Sequence, residues 1–310
     1  MRLAILDLGT NTFHLLIVDV NGKKVKNVFK SKTVVKRGER GINQNLIAKA
    51  PFKRGIDSLL NYKKIIDQYI PDKTYAFATS AIRSAENGNI FIKTAKRKID
   101  IEIKIISGAK EAELIYFGVR RFLNLKGSPS LIMDIGGGST EFIIADEKKI
   151  FWKRSFDIGV ARMLEMFNPS NPISNEQLLQ IQKFLRIELS PLKRAIKKFP
   201  VRKLIGSSGS FDTFAEMAVC RFHKEKSDKI IFPYKFNMDE FSKLYKLIIK
   251  STVADRMKMK GLVRMRVDMI VIAGITIDFI LNETGIKKMY LSKYALKEGA
   301  LWEIINRLNK

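Results

Sequence analysis

A thirteen-residue pattern occurs twice in this 310-residue chain, and no other feature restricts the fold as much. Asp7-Leu8-Gly9-Thr10-Asn11-Thr12-Phe13-His14-Leu15-Leu16-Ile17-Val18-Asp19 aligns without gaps on Asp134-Ile135-Gly136-Gly137-Gly138-Ser139-Thr140-Glu141-Phe142-Ile143-Ile144-Ala145-Asp146. In each copy an apolar run ends on Asp, an aliphatic residue and Gly follow, hydroxyl side chains fill the turn, and a second apolar run begins. Such a repeat implies repeated architecture. The expectation is two related halves, each opened by a strand–turn–strand hairpin.

Each copy has a readable chemistry. A buried strand delivers an Asp to its end, where the carboxylate can hold Mg²⁺ directly or through water. Gly9 and, in the second copy, Gly136, Gly137 and Gly138 permit tight turns whose N–H groups can close round phosphate oxygens. Thr10, Asn11, Thr12, Ser139 and Thr140 add side-chain donors. One Gly-rich hairpin alone is an ordinary structural turn. Two aligned copies, each with Asp two residues before Gly, make a paired phosphate cradle the better reading.

The rest of the pattern alternates. Residues 3–8, 13–20 and 24–35 read as strands, with Asn21-Gly22 as a hairpin turn. A helix is expected at 53–69, ended by Pro71-Asp72, then strand 75–79, helix 85–98, strand 101–106 and helix 110–122. Residues 124–129 combine Gly, Ser and Pro and form the best linker. Strands 131–135, 140–145 and 150–156 restart the series. A helical stretch over 176–199 should kink at Pro191. Strands 203–206 and 288–291 and helices 212–222, 239–250, 267–281 and 295–308 complete an α/β chain. The expected halves are residues 1–123, joined by a final helix at about 297–310, and residues 124–296.

Three further groups attract attention. Gly206-Ser207-Ser208-Gly209-Ser210 lies between a strand and a helix, where free N–H groups and the helix dipole suit an anion; Ser210 or Asp212 as a plain N-cap is the structural alternative. In Ser107-Gly108-Ala109-Lys110-Glu111, Glu111 would sit in a first helical turn, either favoured there by the dipole or acting as a general base at an interdomain cleft. Arg83 ends a strand-like run and can reach a phosphate or remain on the surface. His14, at a period-2 position, reads as a packed or cleft-edge residue, and Phe214, Met217 and Cys220 as helix core.

The formal net charge of +26 would concentrate anions near the protein, whether nucleic acid, acidic lipid or a polyanionic small substrate. A Lys-rich coding bias is the plain alternative. Basic clusters fall at 23–40, 186–203 and 256–266, without the aromatic platform of a single-strand binder, so a nucleic-acid role rests on charge alone. One cysteine and two histidines exclude an internal disulfide and a Cys/His zinc site. Residues 1–7 are too short an apolar run for a signal peptide and residues 269–277 too short for a membrane span, so the expected place is cytoplasmic.

Taken together, residues 7–14, 106–112, 134–141 and 206–210 and the closing Leu296-Lys297-Glu298-Gly299 resemble the exopolyphosphatase/guanosine pentaphosphate phosphohydrolase (Ppx/GppA) family, within the sugar kinase–Hsp70–actin superfamily. The resemblance implies two ribonuclease-H-like domains with an interdomain cleft. It also implies Mg²⁺-dependent hydrolysis of a terminal phosphate from polyphosphate or a guanosine polyphosphate. Glu111 falls on the family's catalytic glutamate, Asp134 and Glu141, with Asp7, on its acidic metal-side residues, and Arg83 and Arg266 on phosphate-contacting arginines. There are departures: Thr10 and Thr12 stand for serines, and Lys110 and Glu113 for a Glu and an Arg beside the catalytic position. The turn at Ser292-Lys293-Tyr294 is more basic than the family's Ser-Asp type. A binding protein that senses polyphosphate without turnover is the reading from another class, and homodimerisation stays open.

Overall fold

The computed structural model describes residues 1–35, 41–223 and 230–308. The last five residues of the 23–40 basic cluster and the end of the 297–310 helix lie outside the described residues. The first series is β1 (Arg2–Leu8), β2 (Thr12–Asn21), β3 (Lys24–Val34), α1 (Lys49–Tyr69), β4 (Lys73–Ala78), α2 (Ser80–Arg83), α3 (Gly88–Ile99), β5 (Ile103–Ile105) and α4 (Gly108–Phe122). The second begins with β6 (Ser130–Ile135), β7 (Thr140–Ala145), β8 (Ile150–Phe156), α5 (Val160–Phe167), α6 (Asn175–Glu188) and α7 (Ser190–Lys198). It continues through β9 (Leu204–Ser207), α8 (Gly209–Phe222), β10 (Tyr234–Lys235), α9 (Met238–Ile249), α10 (Val253–Met257), α11 (Met269–Thr284), β11 (Met289–Leu291) and α12 (Leu296–Leu308).

The repeat is a repeat of topology. The first sheet has order β3-β2-β1-β4-β5 and the second β8-β7-β6-β9-β11, extended by β10. In both, the first three strands are antiparallel and the next joins parallel beside the first. These are two ribonuclease-H-like halves of the sugar kinase–Hsp70–actin fold, as expected. Because parallel neighbours need crossovers, each half carries its helices on the sheet faces.

Period-2 alternation decides which residue faces which layer. Phe13, Leu15 and Ile17 join Leu59, Tyr62 and Phe91 in the outer core of the first sheet. Their alternates Leu16 and Val18 join Ile132, Ile143, Ile205 and residues of α4 and α12 in a core shared between the sheets. The largest cluster covers the other face of the second sheet, under α5–α9 and α11. α4 and α12 therefore fill the space between the sheets, and they pack very closely: a Cβ at Gly299 would collide with the Leu114 carbonyl oxygen.

Three local expectations change. The helix expected at 85–98 begins only at Gly88, as α3, and the short α2 precedes it, because residues 84–87 turn the chain between them. The predicted kink at Pro191 is a break: Pro191 stands in the first turn of α7, where its missing N–H costs nothing. Cys220 is partly exposed on α8, whereas Phe214 and Met217 are buried.

Candidate active site

A cavity of about 390 Å³ opens between the two sheets, lined from both halves by Asp7, Thr10, Asn11, Glu111, Asp134 and the turn at 136–139, among others. The two hairpins meet there tip to tip. A Cβ on Gly137 would stand 2.7 Å from Asn11 Nδ2, and one on Gly138 only 2.6 Å from Ser80 Oγ and 2.9 Å from Thr10 Oγ1. That contact is why the second turn needs glycines. Each turn closes with the same bond: Gly9 N donates to the Thr12 carbonyl at 3.1 Å, and Gly136 N to that of Ser139 at 3.0 Å. Among the described residues the N–H groups of Gly137, Gly138 and Ser139 donate to no protein acceptor, which leaves them for an anion.

The floor is acidic. Glu111 stands in the first turn of α4, whose N-cap Ser107 accepts from Lys110 N at 3.1 Å. Arg83 bridges to it, donating Nη1 to Glu111 Oε2 at 2.8 Å and to the Ile106 carbonyl at 3.1 Å. Burial lifts the Glu111 carboxyl to about 7 against the pull of Arg83, with Asp7 and Asp134 adding repulsion. Asp134 accepts from Ser207 Oγ at 2.5 Å and Ser208 Oγ at 2.7 Å, yet burial still raises it above the usual carboxylate range. Glu141 lies deeper, accepting from Ser139 Oγ at 2.6 Å and Ser155 Oγ at 2.7 Å. Burial, then Glu111 and Asp134, push it well up. Four carboxylates thus crowd one another in a low-dielectric pocket.

The expected site residues do not all reach the cavity wall. Gly9, Thr10, Asn11, Thr12, Gly136, Gly137, Gly138, Ser139, Ser208, Gly209, Arg266, Asp7, Asp134 and Glu111 do. Arg83 stands behind Glu111, and Glu141 beneath the second turn. Thr140 is fully buried with its hydroxyl on the Ile158 carbonyl, Gly206 lies against the Phe211 ring, and Ser210 is buried in the first turn of α8. Ser208 has φ of 70° and ψ of 173°, and it is held there while its hydroxyl serves Asp134. Backbone of that kind is nearly confined to glycine and persists only where the surroundings enforce it.

Other residues carried no expected site role. Lys30 and Lys32 on β3, Lys293 and Lys297 line the same cavity beside Arg266. The arginine's guanidinium crosses the start of α8, where a side chain on Gly209 would collide with it. Arg162 is buried and donates to the Gly138 carbonyl at 3.0 Å and the Ile42 carbonyl at 3.1 Å, tying the second hairpin to the first half. The i,i+2 spacing of Lys30 and Lys32 signalled a shared face but not which face. Arg162 had no signal, because its partners are backbone carbonyls distant in sequence. His14 is a cleft-edge residue, as read, with Nε2 3.0 Å from Thr12 Oγ1.

Among the described residues no three His, Cys, Asp or Glu side chains gather into a metal cage. Mg²⁺ needs none, since it commonly takes one or two carboxylates together with water and substrate phosphates. A crowded carboxylate floor whose charge a cation would offset fits such an ion. Lys110 holds Glu113 at 2.7 Å and Glu303 at 2.5 Å, and Glu113 is shared with Lys153 at 2.6 Å. The unusual pair beside Glu111 is thus neutralised along α4 and α12.

An acidic floor under a basic wall, reached by two glycine turns, defines a phosphoryl-transfer enzyme of the two-lobed nucleotide- and phosphate-binding class. Comparison sharpens this. The family model of the Ppx/GppA phosphatase family matches residues 16–308, and the chain belongs to that family. It is accordingly a phosphoanhydride hydrolase. A crystal structure of an exopolyphosphatase from Cytophaga hutchinsonii is similar at 34% identity and a TM-score of 0.95, over 99% of this chain and 98% of that one. A family member from Aquifex aeolicus shares the fold at 23% identity and a TM-score of 0.82, over 100% and 99% of the two chains. Among the described residues no helix is long and apolar enough to cross a membrane.

Proposed function

We propose that this chain removes terminal phosphate from inorganic polyphosphate, with Glu111 as the base that activates water. The observation that carries the reading is Glu111 itself: buried between the hairpins, held at 2.8 Å by Arg83, and raised to about 7. A carboxylate so raised can take a proton at neutral pH. Water attacks the terminal phosphorus while Glu111 takes its proton. The new P–O bond forms as the bridging P–O bond breaks, and the shortened chain leaves with the bridging oxygen. The turn N–H groups of Gly137, Gly138 and Ser139, with Thr10 and Asn11 opposite, position the phosphoryl group. Asp134 and Asp7 would hold Mg²⁺, which when bound supplies positive charge to the phosphate oxygens; Glu141, expected to join them, lies beneath the second turn on the Ser139 and Ser155 hydroxyls and would act from behind.

We place the two lobes at residues 1–123 with about 297–310 and at 124–296, and the reaction in the cytoplasm. Hydrolysis of guanosine pentaphosphate is the second reading. The Phe232 ring lines the cavity, with Lys293 Nζ 5.3 Å from its centre on one side. It offers a face on which a base could stack. Lys110 beside Glu111 is what makes a non-catalytic sensor worth considering, and Lys110 is occupied by Glu113 and Glu303.

The test is phosphate release from tripolyphosphate, long-chain polyphosphate and guanosine pentaphosphate, for wild type and Glu111→Gln. General-base loss should lower turnover by about 10²–10⁴-fold with the circular dichroism spectrum unchanged. A folded Glu111→Gln variant within a few-fold of wild type would remove Glu111 from this role.

A further inference from the structure

The open N–H groups of the second turn face the cleft for a reason that lies behind them. In a planar trans peptide the carbonyl and the N–H point in opposite directions. Whatever holds the carbonyls of Gly136, Gly137 and Gly138 therefore aims the N–H groups of Gly137, Gly138 and Ser139. The start of α5 holds all three. Val160 N donates to the Gly136 carbonyl at 3.0 Å and Ala161 N to that of Gly137 at 2.9 Å. Arg162 acts twice: its backbone N–H reaches the Gly137 carbonyl at 3.2 Å, and its side-chain Nε the Gly138 carbonyl at 3.0 Å.

The same guanidinium reaches into the other half. Nη1 donates to the Ile42 carbonyl at 3.1 Å and Nη2 to Ser84 Oγ at 3.4 Å. Ser84 is the C-cap of α2, and its hydroxyl donates onward to the Ser80 carbonyl at 2.8 Å. α2 also carries Arg83, which holds Glu111. One planar fork thus joins the phosphate turn to the helix that holds the base, and arginine is the side chain with the donors to do so.

Packing alone does not call for this residue. Arg162 is only 7% exposed, and its ion pair with Asp157, at 3.7 Å, is to a side chain 71% exposed. A buried cation met mainly by neutral oxygens is costly to a fold. Placed on a carbonyl, the charge polarises the peptide and strengthens the N–H at its other end, here that of Ser139. The neighbouring tether joins the halves without the turn: Glu165 accepts from Gly41 N at 3.3 Å and from Asn43 N at 3.4 Å.

We infer that Arg162 is a positioning residue for hydrolysis. It aims the N–H groups of Gly138 and Ser139 at the phosphoryl group as it transfers, strengthens the second, and fixes both relative to Glu111. The inference rests on the roles proposed above for the turn and for Glu111.

The experiment compares wild type, Arg162→Lys, Ser84→Ala and Glu165→Ala by phosphate release from tripolyphosphate with Mg²⁺. Melting temperature is measured alongside, and kcat is referred to folded protein. Lysine keeps the charge but has a single nitrogen, which cannot serve the turn and the other half together. Donors aimed at a transition state act on kcat, so Arg162→Lys should lower kcat about tenfold or more with KM within about threefold. Ser84→Ala frees only the Nη2 end and should lower kcat about two- to threefold, as loss of one hydrogen bond does. Glu165→Ala should lower the melting temperature and leave kcat within about twofold, since it spares the turn.

A kcat unchanged in Arg162→Lys, with only the melting temperature reduced, overturns the inference and makes the residue structural. An equal fall in Arg162→Lys and Glu165→Ala also overturns it, showing that tethering of the halves matters and not the aim of the turn. Should Arg162→Lys not fold, Ser84→Ala decides, an unchanged kcat counting against the inference. If the wild type releases no phosphate, the polyphosphatase reading fails. Calorimetric titration with orthovanadate and Mg²⁺, a mimic of the transferring phosphoryl group, then decides the role of Arg162 by itself. Binding about tenfold weaker in Arg162→Lys than in wild type and Glu165→Ala upholds it, and equal behaviour of the three chains overturns it.

Discussion

The two hairpins share a sequence pattern and a closing hydrogen bond, and almost nothing else. The turn after Asp134 is clamped from behind. Val160 N, Ala161 N and Gly159 N donate to the carbonyls of Gly136, Gly137 and Gly138 at 3.0, 2.9 and 3.4 Å, and Arg162 adds its guanidinium. In the turn after Asp7, the Asn11 carbonyl accepts from Val35 N at 2.8 Å and its amide reaches Met269 Sδ at 3.1 Å. One turn is fixed by a helix start, the other by the end of an edge strand. Duplicated residues therefore specify a turn but not its surroundings. The rigid copy suits the metal and phosphate side, and the other suits a clamp that receives the rest of the substrate.

Substituting the paired carboxylates tests that inequality most severely. Asp134→Asn should reduce turnover by about 10–100-fold and raise the Mg²⁺ concentration needed for half-maximal rate, as loss of a metal-orienting group does. Asp7→Asn should do distinctly less, because its hairpin is the clamp. Equal losses in a Mg²⁺ titration would make the hairpins equivalent and break the comparison.

The acid floor gives a smaller effect with a definite sign. Glu111 is raised from 4.5 to about 7, and Glu141 is raised as well. Folded protein thus binds protons there that the unfolded chain releases. The stabilisation is complete below about pH 4.5 and is lost as pH rises through about 7. In chelator, the metal-free protein should lose about 1–3 kcal/mol of stability between pH 5 and pH 8, measured by urea unfolding, and Glu111→Gln should flatten that slope. Turnover should move the opposite way, rising with pH over the same window, because the base acts unprotonated. A stability that rises with pH there would contradict the crowded floor.

Much of this was legible in the residues. Asp7, Asp134 and the glycines were read from a repeated period-2 pattern, which also placed nearly every strand, because alternation and turn residues are local signals. Glu111 was read from the residues with two alternatives, a dipole-favoured glutamate or a general base, and only the resemblance chose between them, since a glutamate in a first helical turn looks like any dipole-favouring one. Lys30 and Lys32 were missed for a physical reason. The bulge at Val28 reverses the face of every later residue, as any one-residue slip does, and no local pattern announced it. Thr140 and Gly206 were read as phosphate contacts from their turn motifs. The fold places the Thr140 hydroxyl on the Ile158 carbonyl and Gly206 against Phe211, contacts that depend on how separate elements pack.

Lys110 supplies the smallest effect. Its position beside Glu111 in sequence suggested an altered or even silent site, yet one helical step carries its side chain elsewhere. It meets Glu113 and Glu303, about 30% of its side chain stays exposed, and Arg307 shares Glu303 at 2.9 Å. Partly exposed ion pairs contribute little, so Lys110→Ala should cost no more than ~1 kcal/mol of stability. Turnover should stay within about twofold of wild type, because a charge that far into its own network hardly changes the field at a buried carboxylate. A tenfold change in turnover with the melting temperature unmoved would mean that Lys110 acts on Glu111 directly, and the division between a catalytic floor and a structural α4–α12 network would have to be redrawn.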